Sequence, residues 1–481
     1  MSRSFNARRA LGTASLLLGL ASACAGDGRQ QPPPSPPPAA PIPPEEALDD
    51  LQERTFRFFW ETTNPDNGLV PDRYPTPSFS SIAAVGFGLT AYGIGVERGY
   101  VTREEARQRV LATLRFLRAA PQGPDAAGMT GHMGFFYHFL DMKTGQRFEQ
   151  VELSTVDTTL LLGGVLFVQS YFDQKDAEET EIRQLAEEIY GRVDWPWSQT
   201  RAPLISMGWK PEDGFLAYDW IGYNEAMLVY ILALGSPTHP IEPAAWDAWV
   251  ATYEPKWGTF YEQEHLSFGP LFGHQYSHVW IDFRGIQDAY MRGKGIDYFE
   301  NSRRATLAQR AYAIANPGGW KGYGEDIWGL TACDGPADVQ LDYGGKRRTF
   351  KSYSARGPNE NDDGTIAPTA AASSIPFAPE IAIPAVVEMR RLYGEHIYAQ
   401  YGFLDAFNPS FEFDVPLSNG KVEPGFGWVG RDYLGIDQGP ILAMVENHRS
   451  ELVWKVMRRN PHVRRGLERA GFTGGWLEAK K

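Results

Sequence analysis

Cysteine is almost missing from this chain. Cys24 and Cys333 are the only two among 481 residues, so at most one disulfide could form, and none if Cys24 carries another group. Basic charge is also short: 46 Lys+Arg stand against 59 Asp+Glu, a formal net charge of −13. That balance excludes the basic face a nucleic-acid partner requires. The signatures of nucleotide and serine-hydrolase chemistry are absent, with no GxxxxGK[ST], no dinucleotide fingerprint and no GxSxG. Zinc has little foothold. His274 and His278 stand four apart, but HExxH is missing and no cysteine or third ligand lies nearby. Asn359, Asn361, Asp363 and Gly364 imitate the opening of a calcium loop. Its twelfth position is Ala370, where a bidentate Glu is needed, so GPNENDDGT reads as a flexible active-site loop instead. No metal and no cofactor is expected.

The chain opens with Arg3, Arg8 and Arg9 ahead of an uncharged run, Ala10 to Ala23. This is the pattern of an export leader, too short to remain as a spanning helix. It ends Ala21-Ser22-Ala23-Cys24, small residues before a cysteine, as in a bacterial lipobox. The expectation is a signal over 1–24 with lipid on Cys24, an exported protein anchored to the outer membrane, and no other membrane contact. Residues 25–44 hold QQPPPSPPPAAPIPP, a semi-rigid polyproline tether rising roughly 3.1 Å per residue. One folded domain, expected to be monomeric, is assigned to 45–481.

From Glu45 onward the apolar residues recur at helical spacing. Leu48, Leu51, Phe56, Phe59 and Trp60 share one side of Glu45–Thr63. Thr102-x-x-Glu105 is a capping box that opens a helix to about Ala119. Further helices are predicted over Ser154–Phe172, Asp176–Val193, Tyr223–Leu234, Asp282–Arg292, Asp297–Ala315, Pro379–Tyr393, Tyr433–Glu446, Ser450–Arg459 and Val463–Ala470. Short runs such as Phe411–Val415 suit small hairpins. No strand–helix alternation appears, which excludes a parallel α/β sheet. The stretches 153–172 and 220–238 are nearly charge-free, and a helix apolar all round is buried on all sides. Apolar inner helices sheathed by amphipathic outer ones predict an all-α fold, an (α/α)6 toroid with long loops and small β-hairpins.

Each nearly charge-free stretch carries one carboxylate: Asp157 in ELSTVDTTL, Glu225 in DWIGYNEAM, and Asp405 in IYAQYGFLDAFNPSF. Solitary acids among Tyr, Trp and Phe suit sugar chemistry. One carboxylic acid protonates the leaving oxygen, a second carboxylate acts on water or carbon, and aromatic rings stack on sugar faces. A plainer reading stands beside this one. Ser154-x-x-Asp157 is also a capping box, and Glu225 in a first helical turn complements the helix dipole. A helix N-terminus also lowers a carboxylate pKa, whereas a general acid needs it raised, so desolvation would have to win.

Longer stretches carry a family likeness. LQERTFRFFWETTNPDNGLVPDR (51–73), GFGLTAYGIGVERGYVTREEA (86–106), ELSTVDTTLLLGG (152–164), GYNEAMLVYILALGSPTHPI (222–241), FGHQYSHVWIDFRGIQDAY (272–290), WGLTACDGP (328–336), DDGTIAPTAAASSIPFAPE (362–380), YGFLDAFNP (401–409) and YLGIDQGPILAMVENHRS (433–450) together resemble the bacterial glucoamylase-like domain. The likeness is nearest to its β-1,2-glucanase glycoside hydrolases. It implies an (α/α)6 toroid and inverting hydrolysis of a β-glucan, most simply β-1,2-linked. Residue by residue, it implies that Glu225 is the general acid, that Asp405 is the base acting directly or through a relay, and that Asp157 is an essential acid of the cleft. Trp209, Tyr223, His278, Asp282, Arg284 and Trp328 lie in or beside matching segments and are candidate substrate contacts.

Three other readings remain open at this level. A glycan-binding lipoprotein could share the fold without chemistry, although a pure binder has no need of lone acids on buried helices. Related domains transglycosylate. A polysaccharide lyase would need a basic cleft, which the acidic balance disfavours.

Overall fold

The computed structural model describes residues 42–254 and 256–478. The expected leader, lipid site at Cys24 and most of the Pro-rich tether lie outside the described residues. The helices run α1 Pro44–Thr62, α2 Ile82–Glu97, α3 Arg103–Ala119, α4 Thr155–Tyr171, α5 Ala177–Gly191, α6 Ala226–Gly235, α7 Ala244–Val250, α8 Phe272–Trp280, α9 Ala289–Lys294, α10 Tyr298–Ala315, α11 Pro368–Ala372, α12 Pro379–Ile397, α13 Gly435–Arg449, α14 Leu452–Met457 and α15 Pro461–Arg469. Among the described residues no helix is long and apolar enough to cross a membrane. The capping box at Thr102 and Glu105 is formed in full.

Two grades of helix are present. Every residue of α6 and α11 is buried, as is nearly all of α2, α4, α8 and α13. These six pack in chain order: α2 on α4, α4 on α6, α6 on α8, α11 on α13, and α13 back on α2. The step from α8 to α11 is made by Gln275, whose Nε2 donates to the Ala370 carbonyl and to Ser374 Oγ, both at 2.8 Å. The amphipathic helices lie against them. α3 and α5 cover α2 and α4, α15 covers α6, α10 covers α8, α12 covers α11, and α1 covers α13 and α2.

Glycine lets the inner helices approach closely. A Cβ on Gly86 of α2 would sit 2.2 Å from the Leu160 carbonyl oxygen, and one on Gly164 of α4 would sit 2.0 Å from the Gly86 oxygen. Gly163, Gly93 and Gly439 receive the rings of Trp280, Phe167 and Phe87 in the same way. The helix α2 was not foreseen, because four glycines in sixteen residues carry poor helix propensity. Burial between α4, α13 and α1 outweighs that weakness.

Short strands fasten the N-terminal ends of the inner helices. Arg73–Tyr74 pairs with Tyr433–Leu434, which leads into α13. Ser80–Ser81, which leads into α2, pairs with Phe139–Leu140. Leu153–Ser154, which leads into α4, pairs with Gly208–Trp209. The segments that enter these three helices are thus tied to loops contributed from elsewhere in the chain.

Two expectations are corrected. Asp282–Arg292 is not one helix. The chain leaves α8 at Ile281, turns with Asp282 accepting the Arg284 N–H and with Gly285 at φ +72, then restarts at α9 under the Asp288 cap. Phe411–Val415 forms no strand. Phe411 and Phe413 instead pack on Phe350, and the local sheet is built from Phe407–Asn408, Gly427–Val429 and Lys421–Glu423.

The glycine contacts yield a stability test. Gly164→Val forces a side chain into the Gly86 backbone and is expected to cost at least about 3 kcal/mol. Gly293→Ala, on an exposed helical position with nothing within 4 Å, is expected to gain about 0.5–1 kcal/mol. Chemical denaturation of both variants checks the pair, and a tolerated Gly164→Val would remove the close-approach argument.

Candidate active site

The entry to α4 and the entry to α6 bring the first two acids together. Ser154 caps α4 by accepting the Asp157 N–H at 3.1 Å and donates its hydroxyl to the Asp157 carboxylate. His138 Nε2 lies 3.5 Å from that same carboxylate, while its Nδ1 is 2.9 Å from Glu152. Burial opposes charge on His138, but the negative Asp157, Glu152 and Asp72 outweigh it and raise its pKa to about 9. The ring is therefore a cation at neutral pH.

Glu225 is placed differently. It is the residue before α6, but its carboxylate caps no backbone N–H, and Oε2 has no hydrogen-bond partner. The side chain is 8% exposed. Burial, reinforced by the charge of Asp157, raises its pKa to about 7, against a smaller opposing effect from its own N–H. Desolvation thus outweighs the helix terminus, and Glu225 can hold a proton near neutral pH.

Asp405 lies in a second acidic group. Its backbone N–H donates to the Asp432 carbonyl at 3.0 Å, and its Oδ2 accepts the Asp334 N–H at 2.8 Å. Its carboxyl lies within hydrogen-bond reach of that of Asp437, in the first turn of α13. Burial and the charge of Asp334 raise Asp405 to about 7, and burial with the charge of Asp405 raises Asp437 further. One arginine serves the carboxylates beside this pair. Arg73 reaches Asp334 at 2.8 Å, Asp72 at 3.2 Å and Asp432 at 3.6 Å. Behind Asp334 lies the buried pair of Arg356 and Asp363, and Arg356 donates to the Cys333 carbonyl at 2.8 Å and to the Asp334 carbonyl at 3.4 Å.

Tyr276 of α8 joins the two groups. Its hydroxyl is pushed well up, first by burial, then by the charge of Asp437 from one group and of Glu225 and Asp157 from the other. On the solvent side stands Tyr353, 61% exposed, whose hydroxyl is raised by desolvation and by acidic neighbours that include Asp405 and Asp437. A cavity of about 520 Å³ lies beside Glu225, lined in part by Tyr223, Asn224, Phe260, His265, Asn359 and Glu360. The last two belong to the GPNENDDGT loop, whose base is anchored by Asp363.

The other expected contacts are distributed unevenly. Tyr223 lines the cavity, and the half-buried Trp209 pairs with Leu153 at the entry to α4, its ring 5.0 Å from His132 and 5.7 Å from Trp197. His278 is corrected to a core residue. It has no exposure, bonds Ser302 Oγ at 3.1 Å, and is held down to a pKa of about 3 by burial. Asp282, 1% exposed, lies past the C-terminal end of α8 in ion pairs with Arg284 and Arg458, and Arg284 stacks on Trp454 at 4.4 Å. Trp328 is enclosed among Leu271, Ala370 and their neighbours. Buried on these partners, His278, Asp282 and Trp328 offer no surface for a sugar, and Arg284 is spent on its ion pairs. The residues missed in sequence are Asp72, Arg73, His138, Asp334, Asp437, Tyr276 and Tyr353. Most lie inside the motif stretches, in PDR, CDGP, IDQGP and HQYSH, and two carry the signal that marks the others, since Asp334 is the one charge in 327–337 and Asp437 the one charge in 433–445. Among the described residues no group of three or more His, Cys, Asp or Glu has the arrangement of a metal site.

Comparison with known proteins bears on what such a site does. A family described as "Putative glucoamylase" matches residues 217–461. The exo β-1,2-glucooligosaccharide sophorohydrolase (non-reducing end) of Parabacteroides distasonis is 30% identical over 462 residues, covering 89% of this chain. This chain spans 58% of the length of that curated relative. A putative glucoamylase from Bacteroides uniformis shares 33% identity with a TM-score of 0.78, over 92% of this chain and 100% of its own. The endo-β-1,2-glucanase of Chitinophaga pinensis, solved with sophorotriose and glucose, shares 30% identity and a TM-score of 0.76 over 91% and 100%.

The raised pKa of Glu225 sets a stability test. Between pH 4.5 and about 7 the unfolded chain loses this proton while the folded chain keeps it, so stability falls as pH rises. Glu225→Gln cannot ionise and escapes the loss. Its advantage over the unmodified protein is expected to grow from near zero below pH 4.5 to about 3 kcal/mol above pH 7. Denaturant unfolding of both proteins at several pH values measures it, and a difference independent of pH would contradict the desolvated acid.

Proposed function

The chain belongs to the putative glucoamylase family, and from that premise we propose that it is a glycoside hydrolase acting on β-1,2-glucan by inversion. The cycle of inner helices and its outer cover support reading the fold as an (α/α)6 toroid, with the acids at the N-terminal ends of the inner helices. Glu225, protonated, gives its proton to the departing glycosidic oxygen. Asp405, ionised, draws a proton from water on the opposite face of the sugar, directly or through a hydroxyl, and the bond to the anomeric carbon forms with inverted configuration. Asp157 and the His138 cation hold hydroxyls of the sugar next to the broken bond. The cavity beside Glu225, with Tyr223 and Phe260 in its wall, receives glucosyl units of the same chain.

One observation carries this reading: a desolvated Glu225 beside Asp157, with Tyr276 in electrostatic reach of both and of the Asp405–Asp437 pair. The reading gives the two carboxyl groups complementary work, one donating a proton and one accepting it. The leader pattern and Cys24 support an exported, lipid-anchored enzyme that meets its polysaccharide at a membrane surface.

Purified protein incubated with linear β-1,2-glucan is expected to release short oligosaccharides, with β-1,3-, β-1,4- and α-1,4-glucans left intact. Activity on none would reject the substrate class, and tight binding without product would favour a glycan-binding protein. Glu225→Gln is expected to lower kcat at least about 1,000-fold while still binding glucan. The sign of the pH dependence follows from the two acids. Asp405 takes up a proton as pH falls through about 7, and Glu225 loses one as pH rises through about 7. The kcat/KM profile should be a bell centred close to neutrality, and a flat profile from pH 5 to 9 would exclude this pair of roles.

A further inference from the structure

Asp437 has no task in the reaction just described, yet it is among the most deeply buried acids of the site. It is 4% exposed and Asp405 is 3% exposed, and their carboxyls are within hydrogen-bond reach of each other. Among the described residues neither forms an ion pair with Lys or Arg, because the nearby Arg73 is engaged by Asp72, Asp334 and Asp432. One buried oxygen on each, Oδ1 of Asp405 and Oδ2 of Asp437, has no other partner. The groups facing them are Asp334, Asp72 and Arg73 from the flanking loops, Arg356 and the Cys333 thiol behind them, Tyr276 from α8, and Tyr353 from the strand Tyr353–Ala355. Of the two cations there, Arg73 is bonded to Asp72 and Asp334 and Arg356 to Asp363. Two buried carboxyls in contact, with no Lys or Arg bonded to either among the described residues, repel each other when both are ionised, and one proton held between them relieves that repulsion.

Hydrogen bonding decides where that proton stays. Asp405 Oδ2 accepts the Asp334 N–H at 2.8 Å, a fixed donor that stabilises negative charge on Asp405. Among the described residues no comparable backbone donor reaches the free oxygen of Asp437. We propose that Asp437 is a positioning residue that keeps the shared proton and donates it to Asp405, so that Asp405 retains the negative charge and is aimed at the attacking water. The proton does not leave the pair during turnover. Asp405 takes one proton from water and later releases it to solvent, while the O–H of Asp437 stays in place. This rests on the assignment of Asp405 as the base.

Two substitutions separate a donor from a filler of space. Asp437→Asn replaces the acid O–H by an amide N–H and is expected to lower kcat less than about 10-fold, with the acidic limb of the pH profile in place. Asp437→Leu removes the donor. It should lower kcat at least about 100-fold with KM within about threefold, and should move the acidic limb to higher pH. A Leu variant whose acidic limb stays put, or an Asn variant as impaired as the Leu variant, overturns the proposal. Infrared difference spectroscopy on the substrate-free protein gives a readout that needs no turnover and no Leu variant. At neutral pH, unmodified protein minus Asp437→Asn should show the carbonyl stretch of a protonated carboxyl, and Asp405→Asn should keep that band. Absence of the band overturns the proposal even if β-1,2-glucan is cleaved. Presence of the band with no glucan cleaved would uphold the proton on Asp437 and fault only the substrate reading.

Discussion

Removing carboxylates from water is the constraint on which the rest of this structure depends. Glu225, Asp405 and Asp437 are each buried past nine-tenths, and none is neutralised by an ion pair with Lys or Arg among the described residues. Burying an uncompensated acid costs free energy above its ordinary pKa, and the fold must supply that from elsewhere. The supply is visible in the inner helices. Glycines bring α2 and α4 to backbone contact, and rings of Trp280, Phe167 and Phe87 fill against further glycines, so the wall behind the acids is dense and dry. A looser wall would admit water, and water would return the acids to ordinary carboxylates with no means of holding a proton near neutrality.

The same site contains acids that are fully provided for, and the contrast defines the roles. Asp72, Asp334 and Asp432 share Arg73, and Asp334 is braced by the Arg356–Asp363 pair beneath it. These paired acids make a fixed frame around one guanidinium. Against it the unpaired acids are the groups whose protonation can change during a reaction. Charge-paired residues that orient, beside solitary residues that titrate, is the division of labour a general acid and a general base require.

The sequence made some of this legible for reasons that can be traced. Asp157, Glu225 and Asp405 stand out because each is the one acid in a nearly charge-free stretch, and in the structure all three are buried. The capping box at Thr102 was found because its hydrogen bonds are local. What escaped is non-local. Helix α2 was hidden by glycines whose purpose appears only when α4 and α13 are packed against it. Asp437 carries a local mark, as the one charge in 433–445, but its neighbour Asp405, thirty-two positions away, is supplied only by the fold. His278 and Asp282 misled for the opposite reason. Polar residues in a motif-rich stretch suggest a ligand, yet one is a core histidine and the other is the centre of an arginine cluster.

Two of the acids stand at equivalent places in the architecture, the starts of neighbouring inner helices, and still differ in chemistry. The helix dipole is the same for both, so it cannot be what separates them. The difference lies in the donors each meets. Asp157 is inside the first turn of α4, where the Ser154 hydroxyl and the His138 ring converge on its carboxylate. Glu225 stands just outside α6 as its flanking residue, capping none of the helix N–H groups and meeting only its own N–H, with one oxygen facing no donor. A shift of a few positions along the helix axis therefore changes a carboxylate from one supplied with hydrogen bonds to one deprived of them. Deprivation lets Glu225 carry a proton at the pH where Asp157, beside a histidine cation, has its partners in place. The helix start sets where the acids converge, and local donor supply sets what each can do there.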